Sequence, residues 1–200
     1  YGSGTRSASL LIFASPARIS FQSVLALSAE RTSPPSTIGA CASGSFGIGA
    51  LVGAADKART YADRLRMNLD AVAAQAARLP VRPKVYFEEW DEPMISGIQW
   101  VAELIRIAGG DDIFPELAAE SLAKHRIMAD GAQVIARNPD IIFGSWCGKK
   151  FRPEKVAARP GWQAIPAVRN QRLFEIKSPI ILQPGPAALT DGLNEMARHI

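Results

Sequence analysis

Cysteine and histidine are nearly missing from this sequence, with two of each in 200 residues. Cys41 and Cys147 lie far apart, no CxxC pair occurs, and no histidine stands at metal-ligand spacing, so neither a disulfide framework nor a zinc site is supported. His125 falls in a polar segment and His199 beside the last residue, which leaves Ser145 and Ser178 without a suitably placed base and a nucleophilic triad without support. Long apolar runs are missing as well. Leu10–Ala14 is followed at once by Ser and Pro, far short of the roughly 18 residues that span a bilayer. A leading methionine and the basic start of an export signal are absent from Tyr1-Gly2-Ser3, so the sequence neither shows nor excludes export. Nor does one sign of charge dominate: 23 Lys and Arg face 19 Asp and Glu, a net charge of +4. The basic residues are scattered instead of forming a stripe with interleaved aromatics, which argues against a nucleic-acid partner.

What is present is a chain with 48% hydrophobic residues, enough for a real core, and a sharp internal boundary. Residues 1–50 hold 11 of the 15 serines and a single acid, Glu30, whereas residues 51–200 hold the other four serines and 18 acids. In the first part Leu10–Phe13 and Val24–Leu27 read as short apolar runs. Ser33-Pro34-Pro35-Ser36 and Gly44–Gly49 break any longer period, and residues 1–48 are expected to be irregular.

From Leu51 the pattern is clean. Leu51, Ala58, Leu65, Val72 and Leu79 recur every seven residues with Leu69 and Ala76 beside them, the stripe of a long amphipathic helix running to about Arg78. Lys84–Phe87 reads as a buried strand, Ile95–Ala108 as a helix stopped by Gly109-Gly110, and Gly131–Arg137 with Asp140–Phe143 as a second helix and strand. Arg172–Ile176 is a third strand, followed by a closing helix from about Ala187 to His199. The expected fold class is therefore α/β: a linking helix over 49–79, then a lobe over 80–200 built on a small parallel sheet with helices on both faces.

Ligands of open parallel sheets sit beyond the carboxyl ends of the strands, where the loops converge. The three loops so placed are Glu88-Glu89-Trp90-Asp91-Glu92-Pro93, Gly144-Ser145-Trp146-Cys147-Gly148-Lys149-Lys150 and Lys177-Ser178-Pro179. The acids of the first could act as paired carboxylates or hard-metal ligands, or cap a helix starting near Pro93. Trp90 and Trp146 offer flat apolar surface for a large planar ligand, or pack in the core. Trp146-Cys147-Gly148 begins like a thioredoxin motif, but Lys150 stands where the second cysteine would be. Gly144–Lys150 is one residue short of a phosphate loop and no Ser or Thr follows its lysine. The lysine pair is either solvated surface or a contact for an anionic ligand group.

Taken in order, Tyr86-Phe87-Glu88-Glu89-Trp90-Asp91-Glu92-Pro93, Ser96-Gly97, Trp100, Ala108-Gly109-Gly110-Asp111-Asp112-Ile113-Phe114, Asn138-Pro139-Asp140-Ile141-Ile142, Trp162 with Ile165-Pro166-Ala167-Val168-Arg169, and Gln183-Pro184-Gly185-Pro186 form a signature. It resembles the linking helix and second lobe of the vitamin B12-type and iron-siderophore-type substrate-binding proteins of ABC importers. The resemblance covers about residues 49–200. It implies half of a two-lobed, helix-bridged protein that holds cobalamin or a related chelate between its lobes, in the periplasm, as a monomer that catalyses no reaction and carries no cofactor or metal of its own. Glu88, Glu89, Trp90, Trp146 and Ser178 would then line the ligand side. Ferric siderophore or haem binding is the alternative within the class, and a small α/β enzyme using Glu88–Glu92 the alternative outside it. Two departures stand out. In the family an acid on each lobe docks on the permease, and Gln183 stands where that acid is sought. Residues 1–48 match nothing of the first lobe. A frameshift would account for this, since moving residues 10–20 forward by two bases permits a string such as SDLR followed by ADLI. The segment would then be a disordered remnant and the chain an impaired fragment.

Overall fold

Alternation of inward side chains on two faces decides the architecture. The computed structural model describes residue 38 and residues 47–200, and the expectations for residues 1–48 lie almost wholly outside the described residues. After a short helical turn at 47–51, helix α1 runs over Ala55–Ala76 and buries Ala62, Leu65 and Val72. It starts later than the heptad suggests, because the chain turns at Gly53 (φ 71°). Leu51 is consequently exposed.

Strand β1 (Lys84–Asp91) is the centre of the sheet. Parallel strands β4 (Ile141–Gly144) and β5 (Leu173–Glu175) extend the sheet from one side of it, with Val85 opposite Ile141 and Phe143 opposite Phe174. On its other side, two-residue β3 (Asp111–Asp112) pairs parallel with its start. Strand β2 (Met94–Ser96) pairs antiparallel with its end, so the sheet is mixed, with the parallel core expected and a hairpin added at one edge.

Both faces of the sheet are covered, which is why the strands read as continuous apolar runs. Val85, Phe87, Ile141 and Phe143 pack with Leu65 and Val72 of α1, with α2 (Gln99–Ile107) and with α8 (Leu193–His199). Tyr86 and Ile142, one position out of phase, pack on the other face with Phe114, Val134, Trp146, Phe151, Val156 and Trp162. These come from the short helices α3 (Pro115–Ala118), α4 (Ala132–Arg137) and α5 (Pro153–Ala157) and their flanks. Two further short helices, α6 (Pro166–Arg169) and α7 (Ser178–Ile181), lie before and after β5. The closing helix is preceded by a π-helical turn, Ala188–Gly192.

The segment after β1 differs from expectation. Glu92-Pro93 forms the turn of the β1–β2 hairpin and α2 begins only at Gln99, so the acids of Glu88–Glu92 do not cap a helix there. Its C-terminal end is as read: Gly109 takes φ 98° and the Gly110 amide donates back to the Ile105 carbonyl at 2.9 Å.

Candidate functional site

At the carboxyl ends of β1, β4 and β5 the loops meet on one edge, and the acids there are laid beneath a layer of basic groups. Glu88 is fully buried, with 0% exposure. Arg159 grips it with both terminal nitrogens, at 2.5 and 2.9 Å, while the Trp146 indole N–H donates at 3.0 Å and the Tyr86 hydroxyl at 3.1 Å. Burial, followed by the adjacent Glu88 carboxylate, pushes the Tyr86 hydroxyl well above its ordinary range and keeps it a donor. Burial acts to lower the Arg159 guanidinium, but the hydrogen bonds to Glu88 prevail and hold it charged.

The ladder register slips between Glu88 and Trp90, a bulge in β1. At the bulge Glu89 engages the buried Arg126, with Nη1 2.5 Å from Oε2, and the same guanidinium donates to the Ser96 carbonyl. Trp90 is half-buried and its N–H donates to the Glu92 carbonyl at 2.8 Å. Asp91 is buried and paired with Lys149 and, at 3.0 Å, with Lys155, whose ammonium also reaches Glu92 at 2.8 Å. Burial alone would raise the Asp91 carboxyl. Hydrogen bonds from the two lysines outweigh it and hold the group below the usual carboxylate range.

Lys149 also stands over both indoles, 4.3 Å from the Trp90 ring centroid and 5.1 Å from that of Trp146. Trp146 itself is only 3% exposed and meets Phe151 edge-on at 5.0 Å. It is a strut under the loop.

Of the five residues read from the sequence as lining the ligand side, the structure joins Glu88 to Trp146 by a hydrogen bond and Trp146 to Trp90 through Lys149. Glu88 and Trp146 lie behind the surface, since the sheet's second face buries every other residue of β1 and β4. Glu89 is tied to Arg126. Ser178 opens α7 on the third loop, where its carbonyl accepts from the Leu182 amide at 2.9 Å. Trp90 is only half-buried. Asp91 was among the acids of the first loop, whereas Arg126, Lys155 and Arg159 were missed by sequence reasoning; Lys155 lies in α5 and Arg159 past its end, and no local pattern marks either as the partner of an acid 64 or 71 residues away. Among the described residues, no three His, Cys, Asp or Glu side chains converge as they would around a metal ion.

One long helix flanks an α/β lobe whose strand-end loops gather on one edge, the place where open parallel sheets hold ligands. The sequence profile of the periplasmic binding protein family matches residues 47–180, more than half of the chain, and the chain belongs to that family. Its fold is that of a possible iron-binding periplasmic solute-binding protein from Staphylococcus epidermidis, 20% identical with a TM-score of 0.68 over 81% of this chain and 62% of that one. It is similar to IsdE of S. aureus, complexed with heme, at 17% identity and TM-score 0.67 over 81% and 64%. A third similar structure is the periplasmic vitamin B12 binding protein BtuF of Vibrio cholerae, at 19% and 0.63 over 82% and 61%. The chain thus spans less than two-thirds of the length of these proteins. No curated protein sequence matches it significantly.

Proposed function

We propose that this chain is the linking helix and second lobe of a substrate-binding protein that presents a planar metal chelate, cobalamin in the first instance, to an ABC importer outside the cytoplasm. The observation that carries this reading is the state of the acids. Glu88, Glu89 and Asp91 are each committed to one or two cations, whereas general acid or base work needs a carboxylate free to exchange a proton with substrate. What the edge offers instead is a half-buried indole ring, Trp90, fixed by its own N–H and flanked by Lys149. Such a surface binds and does not react. Haem is the second reading, favoured by the similarity to the heme-complexed IsdE structure; a ferric hydroxamate is the third.

The test is titration of the full chain with cyanocobalamin, hemin and a ferric hydroxamate, followed by tryptophan fluorescence and thermal melting. Saturable quenching with a raised melting temperature for one of them is expected, and Trp90→Ala should weaken it by about tenfold, the equivalent of 1.4 kcal/mol. Absence of saturable binding to all three sinks the assignment. Turnover of any of them by the wild-type chain, lost on neutralising one acid of Glu88–Glu92, would establish the enzyme reading instead.

A further inference from the structure

The loop after β4 is pinned at both ends and exposed between them. Trp146 and Phe151 are both buried, and they frame four exposed residues, Cys147–Lys150. Phe151 lies so close over Gly144 that a Cβ there would stand 1.8 Å from its ring, and its amide donates to the Glu175 carboxylate at 3.2 Å. Gly148, at φ 76°, turns the chain so that the Lys149 amide faces the Trp146 carbonyl at 3.4 Å. An exposed loop is ordinarily polar, and a lysine in one needs no ligand. This loop is different in being held in place: Lys149 is fixed by Asp91 below and by the Trp90 ring beside it, with 39% of its side chain still exposed. Lys150, next to it, makes no ion pair among the described residues. Asp91 and Glu92 answer the charges of Lys149 and Lys155, and Glu175, paired with Lys177, is the acid that feels Lys150, so the four lysines of this rim outnumber its three acids by one.

Resting on the chelate-binding reading above, we propose that Lys149 and Lys150 receive an anionic oxyacid group carried on the periphery of the chelate, while Trp90 takes its apolar face. A cation already held in place loses little side-chain freedom when an anion arrives, and its contact is charge-assisted. The oxyacid can be the phosphodiester of a nucleotide loop on a corrin or the propionates of a porphyrin. The chemistry at the lysines is the same. Asp91 then positions Lys149, while Glu88 and Glu89, committed to Arg159 and Arg126, do not touch the ligand.

The experiment compares three probes on the full chain. Cyanocobalamin carries the phosphodiester, dicyanocobinamide is the same macrocycle without it, and hemin carries two propionates. Wild type is set beside Lys149→Gln, Lys150→Gln and Lys150→Arg, with urea melts run on each. Lys150→Gln removes no ion pair among the described residues and keeps the test independent of any disturbance at Asp91. We expect a loss of about fivefold to tenfold for the anion-bearing probe in a Gln variant, less than about twofold for dicyanocobinamide, recovery in Lys150→Arg, and a smaller loss at high salt. Whether cyanocobalamin or hemin shows the loss identifies the source of the anion. Unchanged affinity in both Gln variants, or an equal loss with dicyanocobinamide, overturns this proposal and leaves chelate binding standing. Failure of the wild-type chain to bind any of the three overturns the chelate reading, and this proposal with it.

Discussion

Glu88 shows how far a residue's role depends on what it meets. In the sequence it is one of four acids in a strand-end loop, open to catalysis, metal binding or capping. In the molecule it is a buried counter-ion with four donors on two oxygens. Removing one member of a buried pair leaves the other charge desolvated and unanswered. Glu88→Gln should therefore lower the unfolding free energy by about 3 kcal/mol in urea titrations, with ligand affinity at folding temperatures changed much less. A carboxylate that contacts ligand would show the opposite order.

Among elements, the strand-and-loop unit β4 to Phe151 carries the most strain on its residue choice. The continuous apolar run Ile141, Ile142 and Phe143 announces a buried strand, but nothing in that pattern says why Gly144 ends it. Packing gives the reason: the Phe151 ring occupies the space a side chain would need. Gly144→Ala should cost about 2 kcal/mol or more by overpacking. The measurement is the thermal midpoint, together with loss of the near-UV signal of Trp146, whose neighbour Phe151 would have to move. The same distinction explains the hairpin that was not foreseen. Met94–Ser96 is three residues long, too short to show a period, and its pairing with β1 is a long-range choice that local propensity does not encode. Helix α1, by contrast, was legible because its stripe repeats over six turns.

Across the whole molecule the titratable groups pull in two directions. Asp91 and Glu175 are held low by their lysines against the upward push of burial, and Glu116 is held low by its hydrogen bond from Arg137. Each contributes stability that is present above the ordinary carboxylate value and lost as pH falls through the lowered one. Asp112 is opposite: burial pushes it up to about 6, against the hydrogen bond from the Phe114 amide. The native state holds that proton more tightly than the unfolded chain, so stability falls as pH rises from about 4 to about 6, and the full cost, about 3 kcal/mol at most, is present above that range. Asp112→Asn keeps an acceptor for Phe114 and should melt higher than wild type at pH 7.5, with the advantage shrinking to nothing by about pH 4. Urea midpoints across pH 3 to 8 check both limbs; an advantage independent of pH would show that Asp112 is not the group responsible.

Local spacing was enough to determine the long helix α1, the three main parallel strands, their order along the chain and the edge on which their loops would meet. The helix follows from its 3.6-residue period and the strands from short apolar runs, both carried within each segment, and the shared edge from parallel-sheet geometry. The signature of Tyr86–Pro93, Ala108–Phe114 and Gln183–Pro186 likewise pointed to the family before any coordinates did. Only the tertiary structure decided which charges answer which, because Glu88 and Arg159, Glu89 and Arg126, and Asp91 and Lys149 are brought together across tens of residues by the packing of helices on the sheet's second face. An acid's neighbours in sequence do not set its desolvation or its partners. Burial does, and burial is a property of the fold.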